Sequence, residues 1–207
     1  MPKRPDYGID APGVLIALLA IGVIGQLLGL FAPPLKMGPV AGGILLLQGL
    51  LTFIYVKWGK FRHRDRMLAQ IPWTGSEWVL DVGTGRGLLL IGAAKSLTNG
   101  RAIGIDIWST KDLSGNAPER TQANITLEGV SDKCELRSED ASQMSFPDRS
   151  FDVVVSNLCI HNIPREAGRD QTYAAVFADE GFAVEWRGPF WRDVFPPLKM
   201  FVARKPL

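Results

Sequence analysis

A run of alternating glycines at residues 81–87, with the sequence DVGTGRG, is the segment of this chain best suited to bind a ligand. Glycine adopts positive φ at low cost and lets the backbone approach a ligand closely. Backbone amides between a strand and a helix then point at the ligand. Asp106 follows 19 residues after Gly87, and a carboxylate about 20 residues beyond such a loop binds ribose hydroxyls in nucleotide-binding βαβ units. The spacing predicts a nucleotide or nucleoside site.

The residues on either side of the glycines predict the elements that would position them. Residues 77–82 (EWVLDV) form a short apolar, β-branched run that is typical of a buried parallel strand. Residues 88–97 (LLLIGAAKSL) have the length and the Ala and Leu content of a helix, and residues 101–107 (RAIGIDI) form a second apolar strand. Strand, glycine turn, helix and strand in this order predict an α/β domain with a parallel sheet.

The spacing of the glycines argues against a dinucleotide site. The dinucleotide-binding fingerprint is G-x-G-x-x-G, which would place its third glycine at position 88, but that residue is Leu88. A nicotinamide-dependent oxidoreductase is therefore disfavoured, and only binding of NADH would revive it.

The segment VLDVGTGRG, residues 79–87, resembles the first motif of the class I S-adenosylmethionine-dependent methyltransferases. That motif is an acidic residue at the end of the first strand followed by G-x-G-x-G. Residues 133–146 resemble the third strand of the family and its following loop, and residues 147–163 resemble the fourth strand and its exit. The resemblance covers residues 72–163. It implies a Rossmann-like methyltransferase sheet, S-adenosyl-L-methionine as the cofactor, and methyl transfer as the reaction.

The resemblance also implies which residues surround the cofactor. The glycine loop would hold the methionine and ribose side, Asp106 the ribose hydroxyls, and Asp140 with Ala141 the adenine. These segments would line one crevice at the carboxyl ends of the strands, where open parallel sheets bind ligands. The cofactor-binding residues implied are Asp81, Gly83, Thr84, Gly85, Gly87, Asp106, Ile107, Asp140, Ala141 and Asn157.

Two residues near the end of the fourth strand are candidates for a catalytic role. His161 has the side chain whose ordinary pKa, near 6.5, suits proton removal at neutral pH, and Asn157 precedes it at the strand exit. Methyl transfer from a sulfonium often needs only positioning and desolvation. A structural or substrate-shaping role for His161 is therefore an equal alternative.

The acidic residues and cysteines also have purely structural interpretations. Asp81 and Asp140 could cap helices or face solvent in turns, although the order of motifs around them favours the cofactor. Cys134 and Cys159 are too few for a disulfide framework and lack CxxC spacing, so we expect no metal site.

The chain departs from the family pattern after the fourth strand. Between residues 159 and 181 the sequence has room for one helix, predicted at 170–181, because a single βαβ unit takes about 30 residues or more. Residues 182–206 resemble the closing hairpin of the family, with strands at 182–186 and 200–203. We therefore predict a shortened sheet without the fifth strand, which would leave either an exposed edge or a new pairing of the fourth strand with the hairpin.

Two apolar runs precede this domain. Residues 11–35 and 37–56 contain no charged residue, and Lys36 lies between the two runs. About 20 apolar residues are enough to span a bilayer. The prolines and glycine of the short connection predict a hairpin of two transmembrane helices, at about 13–32 and 38–56. Gly22, Gly25 and Gly29 fall close to one helical face and favour tight packing against the second helix.

The charges that follow the second run predict its orientation. The run at residues 57–66 carries five basic residues against one acidic residue, whereas the connection carries only Lys36. Positive charges favour the cytosolic side. We expect an integral membrane protein with two spans and with both termini in the cytosol. A cleaved signal peptide and a pair of core helices in a soluble protein are the two alternatives.

Three regions follow from these patterns. Residues 1–60 would form the membrane anchor, 61–71 a basic juxtamembrane linker, and 72–207 the methyltransferase-like domain. A net charge of +2 gives no case for nucleic-acid binding. The predicted partners are the lipid bilayer and a small-molecule or lipid acceptor. The predicted function is methyl transfer to that acceptor at the cytosolic membrane face, and the alternative is a catalytically impaired binding or scaffolding protein.

Overall fold

The computed structural model describes residues 4–10, 12–31, 38–110, 113–159, 181–187 and 200–204. Helices precede strands in the N-terminal part, and the two types alternate afterwards. The elements are α1 Pro12–Phe31, α2 Gly38–Ile54, α3 Lys60–Leu68, β1 Trp78–Val82, α4 Leu88–Ala94, β2 Arg101–Asp106, α5 Pro118–Leu127, β3 Cys134–Ser138, β4 Val153–Val155, β5 Ala183–Arg187 and β6 Met200–Arg204.

Helices α1 and α2 pack side by side through glycines. A Cβ added at Gly25 would lie 2.9 Å from both the Gly38 oxygen and the Gly42 Cα, so the two backbones approach too closely for any side chain there. The large apolar side chains point outward instead, among them Ile16, Leu30, Ile44 and Leu47. By length and composition, α1 and the continuous helical segment Gly38–Leu68, which begins with α2, could each cross a membrane.

The second apolar helix continues into the rest of the protein without a break. A π-helical turn, Tyr55–Gly59, joins α2 to α3, so much of the segment predicted as a basic linker is helical. Helix α3 packs against α4 at Gly92, where an added Cβ would meet Leu68 and Arg64 within 2.8 Å. The apolar hairpin is therefore attached to the α/β domain through a packed helix.

The α/β domain is built on a parallel sheet with strand order β3-β2-β1-β4. Strands β1 and β2 are the central pair, and their registered residues include Leu80 with Ile103 and Val82 with Ile105. Apolar side chains on one sheet face pack against α4, with Leu90 and Ile91 fully buried. This topology confirms the Rossmann-like methyltransferase sheet. Helix α5 was not anticipated from the sequence.

Among the described strands, β4 is the last of the parallel sheet. It pairs with β1, and Val154 on it is 62% exposed. Strands β5 and β6 pair antiparallel with each other in a separate two-stranded sheet. Of the two arrangements expected for a shortened sheet, direct pairing of β4 with the hairpin does not occur within the part of the chain described. The helix predicted at 170–181 lies almost entirely outside the described residues.

Candidate cofactor-binding site

The loop after β1 takes a conformation that only glycine adopts easily. Gly83, Gly85 and Gly87 have φ of 73°, 52° and 82°, all in the left-handed region. The amides of Gly83 and Thr84 donate hydrogen bonds of 2.9 and 3.0 Å to the Ile105 oxygen on β2. These bonds fix the glycine loop to the end of the neighbouring strand, and the positive φ at alternate positions explains why glycine occupies them.

Asp106, at the end of β2, faces this loop. Its Oδ2 accepts a 2.8 Å hydrogen bond from the Gly85 amide. Its Oδ1 accepts from the Trp108 amide at 2.6 Å and from Asn116 Nδ2 at 3.2 Å. A carboxylate has about four acceptor positions, so one remains for another donor, such as a ribose hydroxyl.

Asp81 lies beneath the loop and is 1% exposed. Its Oδ2 accepts hydrogen bonds from Thr84 Oγ1 at 2.8 Å and from the Leu90 amide at 2.9 Å. Burial raises the pKa of Asp81 to about 7, although these two hydrogen bonds lower it, and the nearby charge of Asp106 raises it further. Asp81 therefore caps the first turn of α4, as the structural alternative required, while also lining the cavity described below.

The predicted adenine side is more open. Ile107 is 66% exposed, and Asp140 is exposed in a turn in which its Oδ1 accepts from the amide and hydroxyl of Ser142, both at 2.8 Å. These bonds lower the pKa of the Asp140 carboxyl. Ala141 packs against the core residues at the ends of β1 and β2. The Glu139 amide donates a 3.2 Å hydrogen bond to the Asp106 oxygen, which keeps the two loops together.

Trp108 is a further residue at this edge that sequence reasoning missed. It has a positive φ of 60°, which is uncommon for a bulky side chain and clusters at functional loops. Its Nε1 donates a 2.8 Å hydrogen bond to Ser138 Oγ at the end of β3. The indole therefore connects the ends of two strands beside Asp106.

An N-terminal segment crosses the glycine loop from outside the α/β domain. We name residues 4–10 the strap. Arg86 of the glycine loop donates to Asp6 Oδ2 at 2.5 Å, and the Asp6 amide donates to Asn124 Oδ1 at 2.8 Å. Tyr7 is buried against the apolar core and its hydroxyl donates to Glu128 at 2.8 Å. The strap is held at the glycine loop and at α5.

Lys60, the first residue of α3, fastens the strap to the base of the apolar hairpin. It is 3% exposed, and its Nζ donates to the Tyr7 oxygen at 3.0 Å and to the Gly8 oxygen at 2.7 Å. Its Nζ also lies 3.6 Å from Asp10 Oδ2. Burial lowers the pKa of Lys60, and the charge of Asp10 opposes that effect.

A cavity of about 70 Å³ lies between the strap and the glycine loop. Several of its lining residues, including Asp81, Gly83 and Asn157, were predicted from the sequence. Those from the strap, from α3 and from the loop before α5 could not be predicted from the motif, and Arg86, Leu88 and Leu89 lie within or directly after the motif but carry no signal of their own. The lining residues are Tyr7, Asp10, Lys60, Asp81, Gly83, Thr84, Gly85, Arg86, Leu88, Leu89, Leu113 and Asn157.

Residues 79–178 match the methyltransferase domain family. The chain carries a class I S-adenosylmethionine-dependent methyltransferase domain. S-adenosylmethionine is the cofactor of this domain. His161, the other catalytic candidate, lies outside the described residues, so its role stays a prediction.

Curated proteins similar to this methyltransferase domain include two from bacteria. The chain is 34% identical over 142 residues to aklanonic acid methyltransferase DauC of Streptomyces sp. (strain C5), covering 66% of this chain and 60% of DauC. It is 32% identical over 111 residues to demethylmenaquinone methyltransferase of Lactiplantibacillus plantarum, covering 53% of this chain and 44% of that protein. This chain therefore spans about half the length of these two relatives.

One solved structure similar to the methyltransferase domain is that of a candidate S-adenosylmethionine-dependent methyltransferase from Methanococcus maripaludis. The TM-score is 0.44 at 16% identity, and the match covers 58% of this chain and 51% of that one.

The residues present fit S-adenosylmethionine in chemical type. The Gly85 amide of the glycine loop donates to Asp106, which keeps an acceptor position for a hydroxyl donor. The small cavity holds both cationic and carboxylate side chains, as the zwitterionic amino-acid end of the cofactor requires. A cavity of about 70 Å³ is well below the roughly 300 to 1,000 Å³ of whole-ligand pockets. It therefore matches one end of the cofactor, and the adenosine end would lie along the open edge beside Ile107.

Proposed function

We propose that this protein transfers the methyl group of S-adenosylmethionine to a small or lipid-like acceptor at the cytosolic membrane face. The observation that carries the proposal is the attachment of the apolar hairpin to the cofactor site. Lys60, at the base of the hairpin, lines the same cavity as Gly83 and Gly85. An acceptor that meets the transferable methyl group there meets it next to the end of a membrane-length helix.

We assign the cofactor-binding roles in the order of the strand ends. The glycine loop with Asp81 and Asn157 surrounds the methionine side. Asp106 accepts from the ribose hydroxyls. Ile107, Asp140 and Ala141 lie beside the adenine. This assignment uses every strand end of the described parallel sheet and leaves the far side of β4 for the acceptor.

The cofactor supplies a methyl group already activated by its sulfonium charge. The chain therefore has to position the two reactants and exclude water, which is the larger part of catalysis in such transfers. The strap and Leu113 cover the glycine loop on the side away from the sheet, since a Cβ at Gly85 would lie 2.9 Å from Leu113 Cδ2. Asn157, with a polar amide at the exit of β4, is the described residue best placed to orient the acceptor.

The membrane position rests on the outer surface of α1 and α2. Their exposed apolar side chains would be costly in water over this area and match a hydrocarbon environment. Lys57 and Arg62 follow the second helix and are exposed, where positive charges favour the cytosolic leaflet. Both ends of the hairpin contact the α/β domain, so that domain and both termini would share the cytosolic side.

The name of one relative supports a lipid-soluble acceptor. The protein from Lactiplantibacillus plantarum is named for demethylmenaquinone, whereas DauC is named for aklanonic acid. A membrane-anchored domain would meet a quinone at the bilayer surface. We therefore place the acceptor among membrane-soluble small molecules.

Incubation of the purified full chain with membrane lipid extract and methyl-labelled S-adenosylmethionine tests this function. We expect label in the organic phase. At limiting S-adenosylmethionine we expect Asp106→Ala to reduce it by about tenfold or more, while Asp148→Ala, an exposed control, leaves it unchanged. Binding of S-adenosylhomocysteine without any transfer would instead support the impaired binding or scaffolding protein. Loss of both binding and transfer in the native chain would remove the methyltransferase function.

A further inference from the structure

The cavity between the strap and the glycine loop carries more charge than its size suggests. Lys60 and Arg86 contribute two cations, and Asp10 and Asp81 contribute two carboxyl groups. Lys60 and Arg86 are 3% and 5% exposed. Charged groups at this burial are rare unless they are paired or hold a ligand.

The hydrogen-bonding capacity of Lys60 is not fully used. Its ammonium has three N–H donors, and two of them meet the backbone oxygens of Tyr7 and Gly8. The distance of 3.6 Å to Asp10 Oδ2 is too long for a good hydrogen bond. The third donor therefore has no hydrogen-bond acceptor at a normal distance, and both Lys60 and Asp10 line the cavity.

Two other atoms of the cavity wall are buried without a hydrogen-bond partner among the described residues. They are Arg86 Nε, a donor, and Asp10 Oδ2, an acceptor. Leaving such groups unsatisfied costs about 1 to 3 kcal/mol each, and more for charged groups. The cavity therefore offers donors on two cations and an acceptor on one carboxylate.

We infer that Lys60, Arg86 and Asp10 bind the amino-acid end of S-adenosylmethionine, so that the base of the helical hairpin is a wall of the cofactor site. Lys60 Nζ and Arg86 Nε donate to the carboxylate of the cofactor, and Asp10 Oδ2 accepts from its ammonium group. The inference rests on the proposed function for the presence of the cofactor. It adds that the membrane anchor and the cofactor site are a single binding unit.

This arrangement couples cofactor binding to the docking of the hairpin. The strap and α3 supply Asp10 and Lys60, so cofactor that binds only the docked form stabilises that form by mass action. The anchor would then be needed for cofactor affinity as well as for location.

Binding of two nucleosides to Lys60→Met tests the assignment. S-adenosylhomocysteine has the amino-acid end, whereas 5′-methylthioadenosine keeps the adenosine and the sulfur but lacks that end. Isothermal titration on the full chain in detergent is expected to show at least tenfold weaker binding of S-adenosylhomocysteine to Lys60→Met and an unchanged affinity for 5′-methylthioadenosine. Arg62→Met, an exposed cation on the same helix, is the matched control and should change neither affinity.

A second variant covers the case in which Lys60→Met does not fold. Asp10→Asn should weaken the binding of S-adenosylhomocysteine and leave the binding of its desamino analogue unchanged, because that analogue has no ammonium group. If Lys60→Met loses affinity equally for both nucleosides, or for neither, this inference is wrong while the proposed function stands. If the native chain binds neither nucleoside, the inference falls together with the proposed function.

Discussion

The backbone amide of Gly85 donates a 2.8 Å hydrogen bond to Asp106 Oδ2, which joins the glycine loop to the end of β2. One carboxylate therefore shapes the loop and faces the position expected for the ribose. Its second oxygen holds the Trp108 amide and Asn116. Removing the carboxylate would affect the shape of the loop and the binding of the cofactor together.

Asp106→Ala should weaken binding of S-adenosylhomocysteine by about 10- to 100-fold, since hydrogen bonds to a charged group contribute roughly 1.5 to 3 kcal/mol. Asp106→Asn should lose less affinity, because its side-chain oxygen can still accept a hydrogen bond from the Gly85 amide. Titration calorimetry on the detergent-solubilised protein measures both. Equal affinity in Asp106→Ala and in the native chain would place the ribose elsewhere.

Gly83→Ala should destabilise the protein by more than a positive φ alone explains. An added Cβ would overlap the Cys159 side chain, whereas at Gly129, with a similar φ of 70°, it would meet no atom within 4 Å. Gly129→Ala therefore reports the backbone cost, about 1 to 2 kcal/mol, and Gly83→Ala adds an overpacking cost of about 1 to 3 kcal/mol. Thermal unfolding of the two variants compares them, and similar losses would contradict the close contact.

The part of the site that could be predicted from the sequence depends on local spacing. Asp81 and the glycines lie in β1 and the loop after it, and Asp106 ends β2, which pairs with β1, so the geometry of one βαβ unit fixes where they meet. The open turn at Asp140 shows the limit of this reasoning, because the motif places the residue but not the side-chain partners. Its bonds to Ser142 are local and could form with or without a ligand.

The strap and its contacts could not be predicted, because they join residues far apart in the chain. Asp6 and Arg86 are separated by 80 positions, and Tyr7 and Lys60 by 53. In the sequence, Lys60 is one positive charge among several in a basic run. Helix α5 could not be predicted for another reason. Its polar residues give a weak apolar pattern, and its position depends on packing against β3 and the strap.

Stability in the absence of cofactor should fall between pH 5 and pH 7 because of Asp81. Burial raises the pKa of this carboxyl from its ordinary value of 3.8 to about 7, so the folded state binds a proton that the unfolded state has already released. A group of this kind destabilises the fold progressively as pH rises between its unfolded and folded pKa values, by roughly 4 kcal/mol in total, of which at most about 3 kcal/mol falls between pH 5 and pH 7. Denaturant unfolding at several pH values measures the slope.

Asp81→Asn should flatten that pH dependence, because an amide does not titrate and its oxygen can still accept from Leu90. Glu77 does not obscure the effect. Its burial raises its pKa, but hydrogen bonds from Thr74 and Gly75 outweigh this and lower the pKa to about 2, so it titrates below the window. An unchanged slope in Asp81→Asn would mean that Asp81 is ionised in the folded protein at pH 5.

Gly92→Val should weaken cofactor binding although residue 92 is outside the cavity. An added Cβ would lie 2.7 Å from Leu68 Cδ1 and 2.8 Å from Arg64 Cδ, so a larger side chain separates α3 from α4 and moves Lys60 away from the glycine loop. Gly13→Val is the matched control, because a Cβ at this helical glycine meets nothing within 4 Å. Titration with S-adenosylhomocysteine should show a loss of affinity of about tenfold or more in Gly92→Val and none in Gly13→Val. An equal affinity in the two variants would mean that cofactor binding does not depend on the docking of the hairpin.

Labelling of single introduced cysteines in sealed cells tests the membrane topology. Lys36→Cys, between the two apolar runs, should react with a membrane-impermeant maleimide from outside, and Lys57→Cys should react only after the membrane is permeabilised. The five basic residues that follow the second run, against one lysine between the runs, predict this direction. The opposite labelling would place the cofactor site outside the cytosol, where S-adenosylmethionine is not supplied.

Loss of the first apolar helix from the mature chain, measured by mass, would instead identify a cleaved signal peptide. Labelling of both positions without permeabilisation would favour a soluble protein whose apolar helices pack against another surface.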